Sequence, residues 1–430
     1  MKNPVFVLIG AQVVLYLLYI VGSGVYRTLT VVGALRRYPD GAFAKDEVIA
    51  IPDSIHCEDL HYHPQSGTIF TACEDNNETR FKWFPPLANL DHPELAARSQ
   101  GSLHVVDPKT MLSQRLEFEN FQGPFITHGI DVIPDSELPD GEAVYIFAVN
   151  HVPNTKLSDG KGPRARSQLE VFHHIIGSSS AKHLRSIWHP LIRTPNDIFA
   201  ASATSVYITN DHYYSEHGPM RAIEDFYGGA KWTDVVHIQL DSLAAAEPTA
   251  GLTATVALDK THNNNGLGHG RSEREILISD CSGGVLRIGQ LPAGSGSGNI
   301  TLVDSVKVDS IVDNPSYFAD PYASNPADDR SGFVVAGLSR AIDFSKTMRN
   351  ATAKDPVMVT YIKPSLGSDN WETRVLFEDD GTKLRTASAA VLVPLDPAAD
   401  SADGAAGTRK AWLFVTGFMS TSIVAVKVDL

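Results

Sequence analysis

One strand type recurs six times along the chain. Three or four apolar residues run into a small polar end, starting at Ile69, Tyr145, Tyr207, Leu277, Val334 and Phe414. Between the copies lie further short runs rich in Val, Ile and Phe, broken by Gly, Pro, Asn and Asp. Amphipathic helical periodicity is scarce. Many short strands at fairly regular spacing predict an all-β sandwich, barrel or propeller. A long repeat with room for four strands per copy selects a six-bladed β-propeller among these. Loop insertions are expected at Asn76–Arg98 and Pro153–Arg166, and Pro397–Arg409 reads as a surface loop. Val48–Ile51 is placed to add a strand to the blade that ends with Ile423–Val428. No cysteine stands near either end, so hydrogen bonds and packing must hold that seam.

The first residues look like a targeting segment. Lys2 precedes an apolar run from Pro4 to Val21. A membrane-spanning helix needs about 20 apolar residues, with roughly 17 as the lower bound, and a cleaved signal has a shorter core. The run therefore reads as a signal-anchor over residues 1–24, with Gly22, Ser23 and Gly24 as an alternative cleavage region. Residues 25–46 read as a linker, and 47–430 as the propeller. Sequons at Asn77, Asn299 and Asn350 agree with a secretory-pathway protein, membrane-anchored or secreted after cleavage. Three cysteines, Cys57, Cys73 and Cys281, cannot all pair within the chain, and Cys57–Cys73 pairing and free buried thiols both stay open.

Formal charge is −14, from 36 basic and 50 acidic residues. That argues against a nucleic-acid partner and suits a cation-binding protein. Oxygen-bearing residues precede several copies of the repeat: Glu58 and Asp59, Asn196 and Asp197, Asn263 to Asn265, Asp313 and Asn314. In a propeller, positions before an inner strand line the central channel. Neighbouring residues of an extended segment point to opposite faces, so Asn196 and Asp197 are expected to serve two different ions. Carboxylates mixed with amides suit a hard cation such as calcium and do not suit zinc. His128 and His151 flank the second copy, a placement suited to general-base work on water. His61 and His63 share a strand face without a third zinc ligand. Gly337–Ala341 imitates a nucleophile elbow without its strand-to-helix turn.

These residues resemble the paraoxonase/arylesterase family. The likeness rests on Cys57-Glu58-Asp59-Leu60, His128-Gly129-Ile130, Val149-Asn150-His151, Asn196-Asp197-Ile198, Asn210-Asp211-His212-Tyr213, Asn265-Gly266 and Val312-Asp313-Asn314, and spans most of residues 47–430. The resemblance implies a six-bladed propeller with two calcium ions in its channel. Glu58, Asn196, Asn265, Asp313 and Asn314 would hold the catalytic ion. Asp59, Asp197 and the carbonyl of Ile130 would hold the structural one. His128 would be the base of a dyad with His151. The implied activity is hydrolysis of lactones and aryl esters, with organophosphates as side substrates. Three departures concern the pocket wall and the chain ends, the first being a longer Asn76–Arg98 loop rich in Pro, Trp and Phe. The family's disulfide between chain ends has no counterpart, and a histidine expected after the fifth inner strand is replaced by Ala336-Gly337-Leu338-Ser339.

The sequence reading is therefore a calcium-dependent esterase or lactonase acting on a small ester, held to a membrane through its N-terminal segment. Its rival is a non-enzymatic calcium propeller that serves as a scaffold for a protein or lipid. A scaffold needs the metal ring but has no use for the two histidines.

Overall fold

A computed structural model describes residues 22–37, 47–155, 162–293, 298–365, 370–398 and 409–430. Helix α1 covers residues 22–31. After a short strand β1 (Ile49–Ala50), the chain lays down β2 (Cys57–His63) and β3 (Thr68–Cys73). An insertion then carries α2 (Asn77–Lys82), the small hairpin β4 (Trp83–Phe84) and β5 (Asn89–Leu90), and α3 (Pro93–Ala96). Strands β6 (Ser102–Asp107) and β7 (Leu112–Glu119) complete the first quartet. The second is β8 (Thr127–Pro134), β9 (Ala143–Asn150), β10 (Gln168–Ile175) and β11 (Ser180–Ile187). A short parallel pairing of β7 with β11 joins these two quartets into one eight-stranded sheet.

Three four-stranded sheets follow. They are β12 (Pro195–Ser202) to β15 (Leu252–Thr261) through β13 (Ser205–Asn210), α4 (Pro219–Phe226) and β14 (Thr233–Leu240); β16 (Asn264–His269), β17 (Glu275–Asp280), β18 (Val285–Gln290) and β19 (Thr301–Lys307); and β20 (Pro315–Phe318), β21 (Gly332–Leu338), β22 (Val357–Pro364) and β23 (Trp371–Asp379). The last sheet joins β24 (Ala387–Pro394), β25 (Lys410–Gly417) and β26 (Val424–Asp429) to β1. Ile49 pairs with Ala425, and the Ile51 amide donates to the Ile423 carbonyl at 2.9 Å. The two ends of the domain thus meet in one sheet, as the seam argument expected.

The fold is all-β, and its sheets are arranged around an axis. The first strand of each quartet packs on the first strand of the next: β2 on β8, then β12, β16, β20, β24 and back to β2. Apolar clusters fill the wedges between sheets. Phe147, Val149 and Val171 of the second quartet meet Ile198, Val206 and Ile208 of the third. Fully burying an aliphatic or aromatic side chain of this kind contributes about 1.5–3 kcal/mol.

The sequence motif proves to mark the second strand of each quartet, not the innermost one. Its six copies lie in β3, β9, β13, β17, β21 and β25. These strands have hydrogen-bonded neighbours on both sides and bury both faces, so they read as continuous apolar runs. The strands before them line the axis and carry the polar residues themselves.

Cys57 and Cys73, paired in register across β2 and β3, form a disulfide, and Cys281 is free. Helix α1 crosses the boundary expected between leader and linker and docks on the domain. Arg27 donates to the carbonyls of Val308 at 2.6 Å and Gly284 at 2.7 Å. Val31 is buried with Phe84, Leu338, Phe418 and Met419. Leu338 lies in the segment where the resemblance expects a histidine. The apolar run from Pro4 to Val21 and most of the Pro397–Arg409 loop lie outside the described residues. No helix among the described residues is long and apolar enough to cross a membrane. Asn77, Asn299 and Asn350 are exposed.

Candidate active site

The inner strands share a local irregularity. Register shifts fall between Cys57 and Asp59, Thr127 and Ile130, Pro195 and Ile198, Asn264 and Leu267, and Ala387 and Ala390. A β-bulge re-aims side chains and is common beside active sites. Here the bulges hold Glu58, His128, Asn196 with Asp197, and Asn265, so one local device turns these side chains toward the axis. Asp313 and Asn314 arrive just before β20, where Asn314 bridges to Ala389 of β24.

The small polar end of the repeated strand has a purpose in this geometry. Thr416 donates to the Glu58 carbonyl at 2.8 Å, Thr209 to the Asn265 carbonyl at 2.6 Å, and Ser279 to the Asp313 carbonyl at 2.5 Å. Thr71 does the same for Asp59 at 2.5 Å. Three of these four hydroxyls pin a ligand-bearing segment of the next sheet. Glu58 and Asn265, two of the residues held in this way, lie in the bulges.

Four buried oxygens at the axis have no hydrogen-bond partner: Glu58 Oε2, Asn196 Oδ1, Asp313 Oδ1 and Asn314 Oδ1. Each residue is at most 8% exposed. The Asn314 amide nitrogen donates to the other Glu58 oxygen at 3.0 Å, which fixes the pair side by side. An unsatisfied buried acceptor costs about 1–3 kcal/mol, more if charged. Four such acceptors are compatible with a cation, and oxygen-only donors would fit calcium. Asn265 is less open, because its Oδ1 accepts the Gly266 amide at 2.9 Å. Its neighbours are committed elsewhere: Asn263 Oδ1 accepts the Ser282 amide and Asn264 Oδ1 accepts Arg287. Among the described residues, no group of three or more His, Cys, Asp and Glu side chains forms a metal cluster. The set found here is two carboxylates with amides.

Burial, then the neighbouring Asp313 and Asp59, push the Glu58 carboxyl well above the usual carboxylate range. Burial and Asp59 do the same to Asp313, and burial with Asp59 and Glu58 to Asp197. Acid groups crowded like this call for a cation or for protons.

The two histidines meet. His151 Nε2 lies 3.1 Å from His128 Nδ1, and His151 Nδ1 lies 2.8 Å from Ser167 Oγ. His128 Nε2 points toward the metal set, 3.8 Å from Glu58 Oε1. Burial, His151 and the Arg80 guanidinium hold His128 well below its ordinary pKa. Burial, helped by Arg80 and opposed by Asp211, takes His151 down to about 3. Both rings are therefore biased toward the neutral form.

The inserted hairpin supplies residues that sequence reasoning missed. Phe84 packs edge-on over His128, ring centroids 5.0 Å apart, and stacks on Phe418. Arg80, fully buried, sits 4.2 Å over Phe84 and donates to the carbonyls of His56 and Thr127. Trp83 donates to the His151 carbonyl at 2.7 Å. It also walls a cavity of about 700 Å³ lined further by Leu90, Pro153, Arg164 and Arg349, which no candidate ligand reaches. Only the aromatic and proline content of the insertion hinted at this covering role.

His61 and His63 are not on an exposed strand face. His61 turns into the channel toward Asp59 and Asp131, and His63 bonds Ser66.

Comparison with known proteins bears on the family. The arylesterase family model matches residues 93–249, which include His128, His151, Asn196 and Asp197. Serum paraoxonase/arylesterase 2 from Gallus gallus is 28% identical over 194 residues, 45% of this chain and 46% of the relative. Serum paraoxonase/arylesterase 2 from Canis lupus familiaris is 26% identical, over 50% and 53%. Serum paraoxonase/arylesterase 1 from Mus musculus is 27% identical, over 60% and 62%. The chain thus spans about half the length of the first two relatives. Among solved structures, a luciferin-regenerating enzyme superposes with a TM-score of 0.45 at 9% identity, over 89% of this chain and 95% of that one. Regucalcin from Agrobacterium tumefaciens gives 0.42 at 10%, over 90% and 94%. Scores this low bear on neither fold nor function. In sequence, the chain is thus similar to the paraoxonase/arylesterase family over part of its length.

Proposed function

We propose that the sheets form a six-bladed propeller whose channel holds a calcium-dependent hydrolase site for lactones and aryl esters. The observation that carries this reading is the set of four unpartnered buried oxygens beside a neutral histidine pair. Glu58, Asn196, Asp313 and Asn314, with Asn265, would hold the ion. Bound calcium would polarise the substrate carbonyl and stabilise charge developing on its oxygen. His128 takes the proton of the attacking water, through the ring nitrogen that faces the ligand set. His151 orients His128 through Nδ1, and Ser167 in turn fixes His151. Phe84 excludes water from the pair and must move to admit substrate. A scaffold would bind the metal but has no use for the His128–His151–Ser167 chain. We further place the domain in the secretory pathway, held to a membrane by residues 1–24 or secreted without them. The apolar N-terminal run and the exposed sequons support that placement.

Turnover of a small lactone and aryl-ester panel, with and without calcium, tests the activity. No hydrolysis by folded, calcium-loaded protein would favour the scaffold. His128→Gln is expected to lower kcat by about 10²–10⁴-fold on poor leaving groups. The active form is neutral His128, whose folded pKa lies well below 6.5. The rate should therefore be flat above pH 6.5 and fall only in more acid solution. An inflection near or above pH 7 would remove His128 as the base.

Calcium must displace protons from Glu58 and Asp313, whose pKa values are raised in the folded state. A raised carboxyl stabilises the calcium-free fold at low pH, and that contribution is lost as pH rises through the folded value. Calcium binding then gains on protons. The increase in melting temperature caused by calcium should therefore grow from pH 5 to pH 8. Thermal melts at fixed calcium check it, and a constant increment would contradict this ligand assignment.

A further inference from the structure

The family pattern implies a second ion held by Asp59, Asp197 and the Ile130 carbonyl, and these three groups differ from the first set. Their oxygens already have partners. Asp59 Oδ1 accepts the Leu60 amide at 2.8 Å, and Oδ2 accepts the Ile130 amide at 3.1 Å. Asp197 Oδ1 accepts the Ile198 amide at 2.8 Å, and Oδ2 the Leu267 amide at 2.7 Å. None of these atoms is among the buried polar atoms left without a partner, whereas four of the first set are.

One side chain spans Asp59, the Ile130 carbonyl and Asp131. His61 Nε2 lies 3.2 Å from Asp59 Oδ2, and Nδ1 lies 3.5 Å from Asp131 Oδ1. Its ring also hydrogen-bonds the Ile130 carbonyl. Asp131 is fully buried and accepts the Val132 amide at 2.8 Å and the Ala200 amide at 2.6 Å. A second imidazole, His269, closes on the same carboxylate at 2.9 Å and is held there by stacking on Phe199. A hydrogen-bond network this complete gains little from a hard cation, which must displace donors to reach the oxygens.

We propose that this chain binds one calcium ion, at the Glu58–Asn196–Asp313–Asn314 set, and that the imidazole of His61 takes the place of a second ion between Asp59, Asp131 and the Ile130 carbonyl. Asp59, Asp131 and Asp197 then serve the fold by ordering the backbone of four quartets. Asp59 holds β2 to β8, Asp131 holds β8 to β12, and Asp197 holds β12 to β16 through the Leu267 amide. The inference rests on the reading that the first set binds calcium.

Calcium per chain, measured by elemental analysis of calcium-equilibrated full-length protein and by calorimetric titration, decides it. One ion is expected in the wild type, and Asp313→Asn should reduce that to none. His61→Ala, which opens the position, should bind two, the second more weakly; His61→Gln, which keeps hydrogen bonding there, should stay at one. Two ions in the wild type would overturn the inference and leave the hydrolase reading standing. None would overturn both. One ion in His61→Ala, folded by its melting curve, would show that His61 does not fill the position and would also overturn the inference.

Discussion

Asp313→Ala should cost at least about 10³-fold in turnover on every ester tested, because it removes one of the two carboxylates proposed to hold the metal. The effect on stability should run the other way when calcium is absent. Asp313 raises the pKa of Glu58 across the channel, so the two carboxyls disfavour each other's charge. Removing one relieves that repulsion. The variant should then melt at or above the calcium-free wild type while losing the increment that calcium gives. A stabiliser that binds only the folded state contributes about 4 kcal/mol at a thousandfold excess over Kd, and that contribution is what the variant forgoes. Ester turnover and melts with and without calcium measure both halves. Turnover within tenfold of wild type at saturating calcium would sink the assignment of Asp313.

Gly129→Ala should cost about 3 kcal/mol of stability or more, the high end for forcing atoms into a packed interior. A Cβ at this position would stand 2.3 Å from Asp197 Oδ1, 2.6 Å from the Asn196 carbonyl and 2.7 Å from Asp197 Cα. Two of those atoms are backbone and cannot swing away. The glycine therefore lets β8 and β12 approach at the point where both bulge, and a side chain there would splay His128 from Asn196. Gly266 plays the same part between β16 and Asn314, whose Cα would lie 2.3 Å from the added carbon. Gly228→Ala is the control, since nothing lies within 4 Å of its added carbon. Chemical denaturation compares the two variants. A Gly129→Ala protein with a wild-type midpoint would mean that the inner strands are not tightly apposed.

Much of this centre is legible in the residues. The recurring strand announces an all-β chain of repeated sheets, because a strand buried on both faces leaves an apolar run that no surface element imitates. The Asn196-Asp197 pair and the Asp313-Asn314 pair are visible because polar residues interrupting buried apolar runs stand out. The pairing of β1 with β26 could be anticipated from two leftover apolar runs at the chain ends.

Other features depend on approach in three dimensions. Phe84 covers His128 only because Arg80 and Trp83 anchor an insertion whose sequence reads as a loop. Val31 reaches Phe84 across more than fifty residues of chain, and Leu338 across more than two hundred and fifty. His61 looks like one more strand histidine until β8 brings Asp131 and Ile130 against it. Local sequence determined which residues are strands, which are polar and which glycines carry no side chain, since propensity, patterning and steric size act within a few residues. Tertiary structure decided which oxygens are left without a partner and which are already satisfied. That difference separates a metal site from a hydrogen-bond network, and it is set by the backbone amides and side chains that neighbouring sheets bring to the axis.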